Sequence, residues 1–125
     1  MRPAFVVLLV ALCAFVGMSL LRASGQGTSD LIARGQYLVT SAGKCSDCHG
    51  PHLQGGSLAF LKPGLPVRYF APKIAGLTNL STTDATKYLE TGVLPNGKST
   101  QPPMPQYRFN HSDAAAIVAY LKSLK

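Results

Sequence analysis

The sequence has few cysteines, and their positions exclude several classes of protein. Of its three cysteines, Cys13 lies in an apolar N-terminal run, which leaves only Cys45 and Cys48 in the rest of the chain. These two alone cannot supply the four ligands of a structural zinc site. No βαβ pattern surrounds them, which argues against a thioredoxin-like redox pair.

Acidic residues are also scarce: five Asp and Glu face twelve Lys and Arg, which gives a formal net charge of +7. The basic residues are scattered singly rather than clustered on one face or along a helix, so the sequence predicts no nucleic-acid partner. A basic balance instead favours docking to acidic protein surfaces. The chain shows no recognisable catalytic acid/base pair and no nucleophile beside a base, so we expect no autonomous enzyme.

The N-terminal stretch, residues 1–25, is predicted to be a signal peptide or an N-terminal membrane anchor. Met1-Arg2 carries positive charge, and a largely apolar run follows from Ala4 to Leu21. Small residues at Ala23-Ser24-Gly25 favour cleavage there. We therefore expect residues 26–125 to form one periplasmic domain, either soluble after cleavage or tethered to the inner membrane by residues 1–25.

The two remaining cysteines lie in the run Cys45-Ser46-Asp47-Cys48-His49, which has the C-x-x-C-H spacing of c-type haem attachment. Two thiols at this spacing reach the two vinyl groups on one edge of a porphyrin and form thioethers. The next side chain then lies beneath the iron. The motif predicts one covalent haem c, with Cys45 and Cys48 as anchors and His49 as the proximal iron ligand.

Met104 is the only methionine after the N-terminal stretch, and it lies between Pro103 and Pro105. Because proline fixes the backbone and lacks an amide donor, we expect a stiff, extended segment that presents the thioether to iron. Met104 is therefore the predicted distal ligand. The alternatives are His52, His111 or an open sixth position.

Two helices are predicted at the ends of the domain. Leu31, Leu38 and Val39 follow helical spacing around Gly35, and a glycine inside a helix indicates the close approach of another helix. The last helix begins at His111-Ser112-Asp113 and runs from Ala114 to Leu124, with apolar residues on one face. We expect it to cross the first helix at Gly35, and the residues predicted to lie on its apolar face or near the crossing are Ile117, Tyr120, Leu121, Leu124 and Tyr37.

Between the haem motif and the last helix, one further helix is predicted. Ser81 and Asp84 have the spacing of a capping box, and the helix should run from about Thr82 to Thr91 and stop at Gly92. A turn is expected at residues 95–98. Residues 50–72 lack periodicity, which predicts a loop that covers the haem without forming a sheet; candidate partners for the haem propionates are Arg68, Tyr69 and Lys73.

Taken together, these motifs resemble the class I cytochrome c family over residues 30–125. They occur in family order: the Gly35-x-Tyr37-Leu38 helix, the haem motif, the Met104-Pro105 loop and the C-terminal helix. The resemblance implies an all-α cytochrome c fold, with three to five helices around one covalently bound haem and crossed N- and C-terminal helices. It also implies iron ligation by His49 and Met104.

The resemblance further implies one-electron transfer between periplasmic or membrane redox partners, such as a dehydrogenase, an oxidase or a reductase. Lys44 is a candidate for guiding such partners. The stretch from Tyr88 to Pro105 is similar to single-haem bacterial cytochromes, including those attached to periplasmic dehydrogenases. Two alternatives remain: a haem-based gas sensor in which a diatomic ligand displaces Met104, and an electron-transfer subunit of a dehydrogenase complex.

Overall fold

The computed structural model describes residues 27–125, and a boundary between Asp30 and Leu31 divides the chain into two units. Of the first unit, residues 27–30 are described, and they are helical and exposed. The second unit is Leu31–Lys125 and begins with helical backbone at residues 31–37, here called α1.

The predicted leader, residues 1–25, lies outside the described residues. Within residues 27–125, no helix combines the length and the hydropathy needed to cross a bilayer. The prediction of a cleaved signal or a retained anchor therefore stays a prediction.

The described part of the second unit is mostly helical, which confirms the all-α prediction and the expected number of helices. In chain order, the elements after α1 are a π-helical turn (Leu38–Ala42), α2 (Ser46–His49), β1 (Gly56–Ser57), β2 (Phe70–Ala71), a 3₁₀ turn (Ala75–Leu77), α3 (Thr82–Thr91) and α4 (His111–Ser123).

The loop after α2 contains a small sheet, contrary to the expectation of a loop without one. β1 and β2 pair antiparallel, with Gly56 opposite Ala71 and Ser57 opposite Phe70. Two-residue strands are too short to give the alternating hydrophobic pattern by which a strand is recognised in a sequence.

α1 and α4 meet at Gly35, as the sequence predicts. An ideal Cβ atom on Gly35 would lie 2.0 Å from the carbonyl oxygen of Ala116 and 2.8 Å from the Cβ atom of Tyr120. Only glycine permits this approach. Tyr37, also expected near the crossing, is 55% exposed, and the guanidinium of Arg34 lies over its ring.

The core is built around α4, which packs against α3, the π-helical turn and the 3₁₀ turn. Ile117 and Leu121 are buried, as predicted from their spacing. They belong to one cluster of buried apolar side chains, whose other members are Leu38, Val39, Leu53, Ala75 and Ala116.

Both long helices begin with a side-chain cap. Ser81 Oγ accepts a hydrogen bond from the Asp84 N–H and donates one to the Asp84 carboxylate. α3 ends at Gly92, which has φ +66°, so both predicted boundaries are confirmed. α4 begins at His111, as predicted, but its cap is Asn110, whose side-chain oxygen accepts from the Asp113 N–H at 2.9 Å.

Candidate functional site

The haem motif folds as a single helical turn. Cys45 precedes α2, and the His49 N–H donates to its carbonyl oxygen at 2.8 Å. Gly50 has φ +83°, a conformation that side-chain-bearing residues rarely adopt, and it ends the helix directly after His49. The turn therefore fixes the spacing of the motif side chains before any cofactor is considered.

One cavity of about 470 Å³ contains three of the four predicted site residues. Its walls include Cys48 and His49 from the motif and Met104 from the proline-rich segment. This volume falls in the range of small-molecule and cofactor sites. The fold therefore places the predicted proximal and distal ligands, which are far apart in sequence, around one space.

The imidazole of His49 has a defined orientation and tautomer. His49 is 5% exposed, and its Nδ1 lies 2.7 Å from the carbonyl oxygen of Pro72. Because a carbonyl oxygen can only accept, Nδ1 donates the hydrogen bond, and in the neutral imidazole this tautomer leaves the lone pair on Nε2. A histidine held in this way is prepared to bind a metal through Nε2.

Cys45 does not belong to the cavity lining, unlike Cys48. Its side chain is half-buried and packs against the apolar core cluster. Burial raises the pKa of the Cys45 thiol, so the free thiol is protonated at neutral pH. Nearby, the Tyr107 hydroxyl donates to the Gly43 carbonyl oxygen at 2.9 Å and is itself half-buried.

Met104 lies at a bend directly after a turn at Pro102 and Pro103, rather than in the extended segment expected from its flanking prolines. The preceding Pro102–Pro103 bond is cis. The Tyr88 hydroxyl lies 3.6 Å from the Met104 sulfur and donates to it, and the Thr100 hydroxyl donates to the Tyr88 oxygen at 3.0 Å. The thioether is therefore held by hydrogen bonding as well as by the prolines.

The two histidines considered as alternative ligands lie elsewhere. His111 is exposed, and its Nδ1 is 2.7 Å from the Glu90 carboxylate. His52 lines a separate cavity of about 240 Å³, together with Thr40 and Tyr120. Neither histidine lines the cavity that contains His49 and Met104.

The charged residues that line the large cavity are all basic. They are Arg68, Lys73 and Lys98, and no Asp or Glu is among the lining residues that the structure describes. Tyr69, proposed from sequence as a propionate partner, is not in the lining, and its hydroxyl donates to the Lys62 carbonyl oxygen. A mostly apolar space with cations in its wall fits a flat apolar group that carries carboxylates.

Sequence reasoning missed four residues of this site, namely Pro72, Tyr88, Lys98 and Thr100. Lys98 is the last residue of the predicted turn, but nothing in the sequence shows that the turn lies beside the cavity. The roles of the other three depend on contacts between distant segments, such as the 23-residue separation of His49 and Pro72. No local pattern encodes such contacts.

The family comparison matches a cytochrome c model to residues 32–125. Among curated proteins, the cytochrome c subunits of the quinone alcohol dehydrogenases of Gluconacetobacter polyoxogenes and Komagataeibacter europaeus are each 33% identical to this chain over 118 residues. The corresponding subunit of Gluconobacter oxydans (strain 621H) is 28% identical over 113 residues.

These matches cover 78% of this chain for the first two subunits and 74% for the third. They cover only 24–25% of the length of each relative, so the chain spans about a quarter of the curated proteins that it resembles. No solved structure matches the chain.

Proposed function

The chain belongs to the cytochrome c family and carries covalent haem c, and from that premise we propose the residues through which it transfers electrons. Cys45 and Cys48 would form the thioethers, and His49, the predicted proximal ligand, and Met104, the predicted distal ligand, would bind the iron. The observation that carries this assignment is that His49, held by Pro72, lines the same cavity as Met104.

Haem held in this site supplies a one-electron couple between ferrous and ferric iron. The residues of the chain set the conditions for that couple. The Pro72 carbonyl oxygen orients the His49 imidazole so that Nε2 is available to bind iron. The Tyr88 hydroxyl orients the Met104 sulfur. A soft thioether ligand favours the ferrous state and so raises the reduction potential.

The cavity wall is suited to hold the rest of the group. Apolar side chains exclude water from the ring, while Arg68, Lys73 and Lys98 offer positive charge to its carboxylates. Of these three, Arg68 already has a fixed position, because its Nε donates to the side-chain oxygen of Gln101.

The contacts that hold Met104 fit an electron carrier better than a gas sensor. A sensor needs Met104 to leave the iron readily, whereas here the Tyr88 hydroxyl and the flanking prolines, Pro103 and Pro105, restrict its movement. If His49 and Met104 both hold the iron, the chain would transfer electrons rather than bind a diatomic ligand, and it would serve as a carrier rather than as an enzyme.

The partner is proposed to be a dehydrogenase. The support is the similarity to the cytochrome c subunits of quinone alcohol dehydrogenases, although the chain matches only a quarter of each. The chain would act in the periplasm, either soluble or tethered to the inner membrane by residues 1–25, and would accept electrons from the dehydrogenase for an acceptor in the membrane or the periplasm.

The test is the visible and near-infrared spectrum of the protein, exported from a host that attaches haem c. We expect covalent haem and the weak ferric charge-transfer band of a thioether ligand. Met104→Ala should keep the haem and lose this band, while the matched variants His52→Ala and His111→Ala should keep both. A band that survives Met104→Ala, or disappears in a histidine variant, would refute the ligand assignment.

A further inference from the structure

The loop between α2 and the 3₁₀ turn exposes four large apolar side chains, of which Phe70, 60% exposed, lines the haem cavity. The other three lie outside the cavity. Phe60 is 69% exposed, Leu65 is 45% exposed and Tyr69 is 38% exposed. We call these three residues the loop face. Apolar residues exposed singly are common, but a group of them indicates an interaction site.

The residues of the loop face are held together by Tyr69. Its hydroxyl accepts from the Leu65 N–H at 2.7 Å and donates to the Lys62 carbonyl oxygen at 2.9 Å. Its carbonyl oxygen accepts from the Leu58 N–H at 2.8 Å, at the start of the short turn that contains Phe60. The loop face is therefore organised before a partner arrives, which reduces the entropy lost on binding.

The surroundings of the loop face are positively charged. Residues 48–83 contain no Asp or Glu, whereas Lys62, Arg68 and Lys73 are all exposed. None of these three forms an ion pair within residues 27–125. An apolar centre with a basic surround complements a partner that has an apolar patch and acidic residues around it.

The loop face is also connected to the haem site. The Arg68 N–H donates to the Pro102 carbonyl oxygen at 2.9 Å, two residues before Met104. Arg68 and Phe70, the neighbours of Tyr69 in the chain, line the cavity. A partner seated on the loop face would therefore lie beside the redox centre, which favours an electron-transfer protein over a bilayer as the occupant.

We propose that the loop face docks an acidic redox protein that exchanges electrons with the haem. This inference rests on the proposed function. It assigns partner recognition to Phe60, Leu65 and Tyr69, with Lys62, which lies outside the cavity lining, providing attraction, and not to the edge of the haem motif at which Lys44 is exposed.

The test places a photo-crosslinking residue in the full-length haem protein in its native host. Phe60→p-benzoylphenylalanine is the probe, and the matched control carries the same residue at Tyr37, which is 55% exposed in α1. A third variant carries it at Lys44. Adducts are identified by mass spectrometry. The proposal expects an adduct at position 60, but not at 37, with a protein that carries a flavin, quinone, haem or molybdenum centre.

Every other outcome of this crosslinking overturns the proposal. Lipid adducts at position 60 would make the loop face a membrane contact, and adducts with a second copy of the chain would make it a dimer interface. Adducts at position 44 alone would move docking to the haem motif, and the absence of adducts at 60 would leave the loop face without a partner.

The identified partner then serves as the reductant in stopped-flow measurements. Phe60→Ser should slow haem reduction about tenfold, because interface energy concentrates in a few apolar anchors. Lys62→Glu should slow it at low salt and much less at high salt, whereas Lys87→Glu in α3 should have little effect. Equal rates for all variants would overturn the proposal.

The two proposals fail separately. If the wild-type protein lacks the weak ferric charge-transfer band of a thioether ligand, the ligand assignment is refuted, whatever the crosslinking shows. A normal spectrum with normal reduction by a small chemical reductant, but with no adduct at position 60, refutes the docking surface alone.

Discussion

The hydroxyl group of Tyr88 lies 3.6 Å from the sulfur of Met104 and donates to it. Tyr88 is half-buried in α3, and its oxygen in turn accepts from the Thr100 hydroxyl. A donor to the sulfur draws electron density from the lone pairs that bind iron. The contact therefore links the α3 helix to the electronic properties of the proposed distal ligand.

Tyr88→Phe is expected to lower the reduction potential. Without the donor, the sulfur gives more electron density to ferric iron and stabilises it. Only the part of the hydrogen-bond energy that differs between the ferrous and ferric states shifts the potential. A neutral bond of about 0.5–1.5 kcal/mol therefore sets an upper limit of roughly 20–60 mV on the shift of a one-electron couple. Spectroelectrochemical titration measures the shift. The matched control is Tyr120→Phe, because Tyr120 does not line the cavity that contains Met104. An unchanged or raised potential in Tyr88→Phe would contradict the prediction.

Gly35→Ala is expected to destabilise the fold by roughly 1–3 kcal/mol, the cost of overpacking a close contact. Alanine favours a helix over glycine by about 1 kcal/mol. A net loss of stability would therefore show that the clash with Ala116 outweighs this gain in helix propensity. Urea unfolding of the haem protein measures it. Gly56→Ala is the control, since a Cβ atom there meets nothing within 4 Å, and equal losses in both variants would disprove the explanation.

The ion pair between Arg34 and Asp113 should make stability depend on pH. The hydrogen bond from Arg34, joined by its charge, lowers the pKa of Asp113 below its ordinary 3.8. As the pH falls, Asp113 therefore takes up its proton at a higher pH in the unfolded chain than in the folded one. The contribution of the ion pair to the free energy of unfolding is complete above pH 3.8 and is lost as the pH falls through the folded-state pKa of Asp113.

Asp113→Asn should accordingly lower the free energy of unfolding at neutral pH, with a difference from wild type that shrinks in acid. Urea titrations at several pH values measure this difference. Because Asp113 also lies in the first turn of α4, Arg34→Gln and the double variant complete a cycle that separates the ion pair from the helix-dipole effect. A pH-independent difference would show that the pair contributes nothing.

Asn110→Ala is expected to cost about 1 kcal/mol of stability, the typical value of a lost N-cap. The Asn110 side chain accepts from the Asp113 N–H, and alanine leaves that donor without its partner. Asn110→Ser should restore most of the stability, because a hydroxyl oxygen also accepts. If the Asn110→Ser and Asn110→Ala variants unfold at the same denaturant concentration, loss of the cap is not the cause of the lower stability.

Sequence patterns predicted the features that depend on residues close together in the chain. The α3 boundaries follow from Ser81 and Gly92, whose side-chain cap and positive φ act within one turn of the helix. Gly35 also revealed its helix contact, because glycine inside a helical pattern needs a packing reason. Asn110 was missed because His111-Ser112-Asp113 offers competing capping residues one position later.

Long-range contacts were beyond the reach of sequence patterns. The pairing of β1 with β2 joins strands of two residues, too short for a periodic signal. The motif rules predicted His49 and Met104 as ligands, but not the carbonyl of Pro72 that orients the first or the hydroxyl of Tyr88 that contacts the second. Those partners follow from the path of the loop and the packing of α3.

The hydrogen bond from His49 to Pro72 also bears on how the loop between them can vary. Its formation requires a segment of 23 residues to return to its starting point. The entropy of closing a flexible loop grows only with the logarithm of its length, at about 0.6 kcal/mol for each doubling. Insertions at the exposed positions 63–64, away from β1 and the buried Leu53, should therefore be inexpensive, provided that the chain still brings a backbone carbonyl back to the imidazole. The orientation of the His49 imidazole is thereby insulated from changes in the length of the loop that holds it.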